Sequence, residues 1–351
     1  MSIVHASGTW LEIDGAYGEG GGQLIRNALA LSAITGRALR VYNIRRGRER
    51  PGLAAQHLAA ARALAEICGA TADGLALRSQ QLSFSPGPLR GGNYRFNIGT
   101  AGSVTLVLQA LLPAMVAAGE DFDVTVTGGT DVPAAPPIDY FREVLLAHLA
   151  RMGVRMDASV HRRGYYPAGG GEVQVRIQSS RLQSCTIDAP GPLLSVSGQA
   201  HVSGLPRDIA ARMRAAAVMR LPEICAGATA INAAVDAQQA FGRGGAIVAW
   251  ASCSQSTLGA GRVAERGKRA EELGASVGDE LRADLESGAG VDIHAADQLL
   301  IYQALAGAGS YTTRQLSSHA QTAIWLIEQF LPVRFQTSSR GRLVRVAAAP
   351  A

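Results

Sequence analysis

The stretch DGAYGEGGGQLIR, residues 14–26, ends a short apolar run and opens onto a helix-like segment. Glycines at 18, 20, 21 and 22 free the backbone for a tight turn, and the first N–H groups of a helix favour an anion. Glu19 stands in the middle of that turn, and no lysine accompanies it. A carboxylate repels phosphate unless a divalent cation lies between them, and Mg2+ commonly takes one or two carboxylates together with phosphate oxygens. Glu19 could instead complement the helix dipole, and the loop alone leaves both readings open. Two familiar nucleotide loops are excluded. Gly18 and Gly20 are followed by Gln23 where a dinucleotide fingerprint needs glycine, and Gly20 and Gly22 are followed by Ile25. A Gly-Lys-Ser/Thr step is absent, because the chain has a single lysine, Lys268.

Further candidates follow along the chain. Arg45, Arg46, Arg48 and Arg50 crowd a turn before a helix. They read as a bidentate phosphate clamp or as a solvated basic turn. GGTDVPAAPPIDY (128–140) is stiffened by proline and could wall a flat base, or be an ordered loop. RRGYYPAGGGEV (162–173) has three glycines entering a strand, a tight turn or a place of close backbone approach. The seven histidines form no HxH or HExxH pair, so a zinc site is not expected. His319 follows Ser317-Ser318 near the start of a helix, where an imidazole would be held neutral; that permits a nucleophile without requiring one, and a structural or exposed histidine is the other reading.

Composition sets the frame for these residues. The 351 residues are 47% hydrophobic and 17% charged, enough for one large domain with an insertion or for two domains. The net charge of +5 points mildly to a polyanionic partner, and its arginine bias is equally what genomic base composition produces. Cys68, Cys185, Cys225 and Cys253 are too scattered for a metal knuckle or a redox pair, and read as reduced thiols of a cytoplasmic protein. The opening MSIVHASGTW lacks the pattern of a signal peptide, and Val104–Ala118, broken by Gln109 and Pro113, is too short to cross a bilayer.

The elements that must position these residues are legible as periodicities. Residues 10–14 and 37–44 read as strands flanking a helix at 23–34, followed by a helix over 51–68 and strands near 75–77 and 81–84. The order recurs as a strand at 93–99, a helix at 100–118, a strand at 122–129, a helix at 136–153 and strands at 154–160 and 172–177. Two units of roughly 80 residues thus share a β-α-β-α-β-β order. A third is split, resuming near 287 with helices at 297–307 and 317–330 and closing strands at 333–337 and 342–348. Between them, 186–286 reads as a separate small α/β body, with Leu273, Val277, Leu281 and Leu285 marking its last helix.

Taken together, EGGGQLIR (19–26), IRRGRERPGLAAQHL (44–58), GTAGSVTLVLQALLPA (99–114), GGTDVPAAPP (128–137), GYYPAGGGEV (164–173), ADQLL (296–300) and SSHAQTAIWLIEQFLPVRF (317–335) resemble one family closely, the RNA 3′-terminal phosphate cyclases. The likeness covers most of the chain outside 186–286, in the same order. It implies an α/β (α+β) fold of three β-α-β-α-β-β repeats. Residues 1–185 and 287–351 would form the large domain and 186–286 a small α/β insert in the third repeat. It also implies ATP-dependent conversion of an RNA 3′-phosphate to a 2′,3′-cyclic phosphate, through a histidyl–AMP enzyme and an RNA–pp–A intermediate.

By resemblance the nucleophile falls on His319 and the ligand for Mg2+ or Mn2+ on Glu19. Arg26, Arg45, Arg48 and Gln56 fall on positions that hold phosphates of ATP or of the RNA end. Gln109, Pro136, His294, Ala295, Ala296, Asp297 and Gln298 fall on the nucleotide pocket. The expected partners are ATP and RNA with a 3′-phosphate, with no membrane and with room for a homodimer. The chain departs from the family in three places: His294 replaces a tyrosine that stacks on adenine, Arg163 replaces a histidine, and a second histidine before His319 is missing. Two other readings compete. A non-catalytic paralogue acting in ribosome assembly would lack the histidine and much of the phosphate pocket. An enolpyruvyl transferase, built from similar repeats, would lean on lysines.

Overall fold

The structure, a computed structural model, describes residues 10–221, 229–235 and 240–351. The chain opens with β1 (Leu11–Asp14), α1 (Gly22–Thr35), β2 (Leu39–Tyr42), α2 (Ala55–Cys68), β3 (Thr71–Asp73) and β4 (Leu82–Ser85). The strands form a sheet in the order β1-β2-β4-β3, with β1 parallel to β2 and the other pairs antiparallel. Next come β5 (Gly92–Asn97), α3 (Val104–Ala118), β6 (Phe122–Gly128), α4 (Ile138–Tyr140), a π-helical turn at Phe141–Leu145, α5 (Leu146–Arg151), β7 (Arg155–Gly164) and β8 (Gly171–Gln178). Their strands run β5-β6-β8-β7.

After β9 (Thr186–Ile187) the chain makes β10 (Leu193–Ser203), α6 (Arg207–Val218), β11 (Thr229–Val235), β12 (Ala240–Phe241), β13 (Gly244–Cys253), β14 (Thr257–Val263) and α7 (Ala270–Ser287). It closes with α8 (Ile293–Leu305), β15 (Gly309–Thr313), α9 (Ser318–Phe330), β16 (Val333–Arg340) and β17 (Leu343–Pro350). One sheet runs β11-β10-β13-β14, another β9-β15-β17-β16, and β12 adds to the β7 edge. The fold is thus mixed α/β with four mixed sheets.

Burial follows the apolar patterning. α3 is apolar almost all round and accordingly buried, packed against α1, α2 and α8. It shares one large core with α9 and three of the sheets. The sheet β11-β10-β13-β14 has a core of its own, where Val196 and Ile247 meet Met213 of α6 and Leu273, Val277 and Leu281 of α7.

Helix starts decide where the ends point. α3, α8 and α9 are capped by side chains: Ser103 accepts from Leu106 N at 3.2 Å, Asp292 from His294 N at 2.9 Å and Ser317 from Ala320 N at 2.9 Å. α1 and α2 begin at Gly21 and Ala54 with no side-chain cap.

Several expected boundaries move, among them the helix expected at 100–118, which starts at Val104 behind its Ser103 cap. The helix expected from Pro51 starts at Ala55, because Gly52 sits at φ 80° and donates to Ile44 O at 2.8 Å in a turn against the Arg78 carbonyl. The strand expected at 75–77 is a turn, and β3 lies earlier, at Thr71–Asp73. The helix expected from 297 starts four residues earlier at Ile293, because Asp292 caps it. Of the four cysteines, Cys225 lies outside the described residues.

Candidate active site

A cavity of about 580 Å3 opens between the N-termini of α1 and α2, the proline loop Pro133–Pro137, the start of α8 and the strand end Gly261–Val263. A volume of that size suits a nucleotide. One end is cationic. The uncapped backbone at Gly21 and Gly22 faces it, as do Arg26, Arg45, Arg48 and Gln56. Arg26 is only 7% exposed, and among the described residues no acidic group or acceptor pairs with it. Burial alone pushes its guanidinium down to about 10. A buried cation without a partner is costly to folding, and its opening into a cavity marks an anion site.

The other cationic-end residues are held by backbone contacts. Arg45 adopts φ 53° and donates to Gly52 O at 2.8 Å. Gln56 accepts from Ser103 N at 3.2 Å, which ties the start of α2 to the start of α3. His57 accepts from Ala54 N through Nδ1 at 3.2 Å, and its Nε2 occupies the space a side chain at Gly22 would need. Burial, with Arg26 and Arg45 nearby, lowers His57 to about 3, so it stays neutral. Glycine at 22 is therefore what lets α1 approach α2.

At the mouth of this cradle His319 meets Glu19. His319 lines the cavity, and its Nδ1 lies 2.8 Å from Glu19 Oε2. The close approach lacks hydrogen-bond alignment, so the buried ring nitrogen and the carboxylate are in polar contact without a formed hydrogen bond. The same Glu19 oxygen lies 3.4 Å from Arg48 Nη2, and the other oxygen accepts from Ser318 Oγ. Arg48 also donates to the Glu19 carbonyl at 3.1 Å. With Nδ1 turned to the carboxylate, Nε2 is the ring nitrogen left to react.

The opposite end mixes both signs of charge, with Arg262, Glu265 and Asp297. Gln109 of α3 donates to Gln298 Oε1 of α8 at 2.6 Å, and Gln298 donates to His294 O at 3.1 Å. Asp297 accepts from Ser317 Oγ at 2.7 Å, linking α8 to the cap of α9. His294 hydrogen-bonds Glu280 Oε1 of α7 at 2.7 Å and meets Tyr140 edge-on, with ring centroids 6.1 Å apart. Burial opposes its charge, but the bond to Glu280 and the carboxylates of Asp292 and Glu280 raise it above its ordinary value. Ala295 and Ala296, expected in the pocket, are instead fully buried in the large core and do not line the cavity.

Sequence reasoning missed several lining residues. Tyr140 and His57 came from segments already singled out, but nothing local distinguished them. Gly261, Arg262, Val263 and Glu265 come from the 186–286 segment and line the same cavity. Arg262 binds Glu280, the carboxylate that also holds His294.

A second polar cluster lies behind the proline loop. Asp131, Asp139 and His201 are the group among the described residues able to converge on a metal ion. Arg163 already neutralises it, 3.3 Å from Asp131 Oδ2 and 2.9 Å from Asp139 Oδ2. His201 Nε2 approaches Asp139 Oδ2 at 3.5 Å without hydrogen-bond alignment, while its Nδ1 meets Tyr165 OH at 2.8 Å. Burial pushes Asp139 up, but His201, Arg163 and Arg142 hold it well below the usual carboxylate range. Two carboxylates balanced by two arginines leave little call for a divalent cation. Asp131 and Asp139 flank Pro133–Pro137 in the chain, and Arg163 holds both, so the cluster anchors the two ends of the proline loop.

Comparison with known proteins gives a consistent answer. A family model described as RNA 3′-terminal phosphate cyclase matches residues 17–337. A protein of that description from Nitrosospira multiformis is 52% identical over 341 residues, 97% of this chain and 96% of its own. Another from Methanosarcina barkeri is 43% identical over 339 residues, 96% and 99% of the two chains. One from Pseudomonas fluorescens is 44% identical over 331 residues, 93% and 94%. Among solved structures, the enolpyruvyl transferase NikO from Streptomyces tendae aligns with a TM-score of 0.40 at 12% identity, over 97% of this chain and 48% of that one.

Proposed function

The chain belongs to the RNA 3′-terminal phosphate cyclase family, and from that premise we propose that it converts an RNA 3′-phosphate to a 2′,3′-cyclic phosphate, with His319 as the nucleophile that carries AMP. The family uses ATP. The observation that carries the reading is the His319–Glu19 contact at the mouth of an arginine-lined cavity, 2.8 Å between Nδ1 and Oε2.

The residues divide the work. His319 Nε2 attacks the α-phosphorus of ATP; the N–P bond forms as the bond to pyrophosphate breaks. Arg26, Arg45 and Arg48, with the free N–H groups of α1, stabilise charge gathering on the phosphates. Gln56 completes that end of the cavity. Pro136 and the proline loop, with Gln109, His294, Asp297 and Gln298, enclose the nucleoside. Ala295 and Ala296 support that wall from the core. A 3′-phosphate oxygen of RNA then attacks the same phosphorus and releases His319, giving RNA–pp–A. The adjacent 2′-hydroxyl attacks the 3′-phosphorus, loses its proton and expels AMP. That hydroxyl is already tethered, so its effective molarity is high.

Glu19 fits a metal ligand, since its carboxylate stands at the phosphate end and one carboxylate suffices for Mg2+ or Mn2+ beside phosphate oxygens. When bound, such a cation supplies charge neutralisation at the phosphates.

The finer fold reading joins this proposal. The orders β1-β2-β4-β3, β5-β6-β8-β7 and β9-β15-β17-β16 share one pattern of connections, which supports three β-α-β-α-β-β repeats in a large domain of 1–185 and 287–351. The separate core of the fourth sheet supports an insert over 186–286. Among the described residues no helix is long and apolar enough to cross a membrane.

The test uses α-labelled ATP and Mg2+ without RNA. Label should remain on the denatured protein, stable to alkali and lost in acid, and be absent from a folded His319→Ala variant. Adding 3′-phosphorylated RNA should release AMP and leave a 2′,3′-cyclic end. Folded protein that takes no label would overturn the reading.

A further inference from the structure

Three consecutive loop residues track the surface of α9. Glu19 accepts from Ser318 Oγ and touches His319. The backbone at Gly18, held at φ 59°, packs on Thr322. The Tyr17 ring stacks on Trp325, with centroids 3.7 Å apart and planes 19° from parallel. Ser318, Thr322 and Trp325 are spaced i, i+4, i+7, so they form one stripe of the helix. Tyr17 therefore sits roughly 10 Å along that stripe from the candidate nucleophile, at the usual helical rise.

One side of the tyrosine is covered by Trp325, yet 42% of the residue remains exposed. Tyr17 O accepts from Gly20 N at 2.9 Å, so its backbone position is fixed by the same turn that carries Glu19. The arginine turn adjoins this loop through Arg48, which donates to Glu19 O at 3.1 Å. Arg46 and Arg50 of that turn are exposed, and among the described residues neither is ion-paired. Tyr17 does not line the nucleotide cavity, whose nearest loop residues are Gly21 and Gly22. An exposed, backed ring on a loop that Arg48 ties to a basic turn is what a single strand of nucleic acid binds, because every base offers a π-face and every residue a phosphate.

We propose that Tyr17, backed by Trp325, is a stacking platform for an unpaired base of the RNA strand whose 3′ end reaches His319. The proposal rests on the cyclase reading and deepens it, by assigning a place for the strand upstream of the reacting phosphate. Recognition there tolerates any sequence, with Arg46 and Arg50 following the backbone. A base-paired end would present no free face and would be a poor substrate.

The experiment compares wild type, Tyr17→Phe and Tyr17→Ala in two assays. The first is His319 adenylation from labelled ATP without RNA. The second is KM for 3′-phosphorylated oligonucleotides, either intact or with one abasic residue within the last three positions. Tyr17→Ala should keep the adenylation rate and raise KM about tenfold, the order of one lost base–aromatic stack. Tyr17→Phe should match wild type. One abasic position should cost wild type a similar factor and cost Tyr17→Ala nothing. An unchanged KM in Tyr17→Ala, or indifference of wild type to every abasic position, would overturn the platform. Loss of adenylation in Tyr17→Ala would also overturn it, making the ring a staple for the Glu19 loop. Absence of adenylation in wild type would instead fail the cyclase reading itself.

Discussion

His319 turns Nδ1 toward Glu19, 2.8 Å from Oε2, and the same oxygen lies 3.4 Å from Arg48. The carboxylate thus sits between an imidazole and a guanidinium, and it fixes which face of the ring meets the cavity. A glutamate in this glycine-rich turn is no longer odd: beyond any cation it holds, it orients the proposed nucleophile.

Glu19→Gln should therefore fold normally and adenylate slowly. Removing a charged orienting partner typically costs about 10–100-fold. Single-turnover labelling with ATP at saturation would check this, and a Mg2+ titration alongside would separate orientation from metal binding. An orientation role predicts a slow rate at every Mg2+ concentration.

Arg26 should show opposed effects on stability and activity. Its guanidinium, pushed down to about 10 by burial, carries a folding cost of roughly 3 kcal/mol at neutral pH. Arg26→Met should raise Tm while weakening ATP binding at least tenfold. Thermal denaturation without ligand, paired with ATP affinity, reads both.

Arg163→Met should be strongly destabilising. Asp131 and Asp139 are fully buried, and Arg163 lies within 3.3 Å of both. Removing that guanidinium leaves buried Asp131 without one and Asp139 with Arg142 alone, a loss of about 3–5 kcal/mol. Denaturant unfolding would measure it, and adding Asp139→Asn should restore part of the stability.

The His294–Glu280 pair gives a pH dependence of known sign. His294 is raised in the folded state, so its contribution is complete below the ordinary histidine pKa and is lost as pH rises through the folded value. Glu280 is lowered, because His294 and Arg262 outweigh its burial. Its contribution is present above the ordinary glutamate pKa and is lost as pH falls through the depressed value. The His294 side chain is 45% exposed, so the pair contributes no more than about 1 kcal/mol. The Tm gap between wild type and His294→Phe should be larger at pH 5.5 than at pH 8.5.

Residues legible in the sequence were those whose roles are written locally. Helical and strand periods placed most elements, since burying one face imposes those periods wherever the element packs. The glycine turn, the arginine turn and the serines before α9 admitted an anion site and a nucleophilic histidine without requiring either. The motifs carrying the family resemblance then put His319 and Glu19 in the same site.

Tertiary structure decided the pairings. Glu19 and His319 are 300 positions apart in the sequence, and only the packing of the first loop on α9 makes them neighbours. His294 reads as a stand-in for a stacking tyrosine until α7 brings Glu280 to its ring. Arg26 is placed at a phosphate by resemblance alone, and only burial shows it without a partner among the described residues. Arg262 carries no local signal, because a strand end from another sheet becomes cavity wall only through tertiary packing. Sequence period reports what an element buries; it does not report which distant charge will stand across the gap.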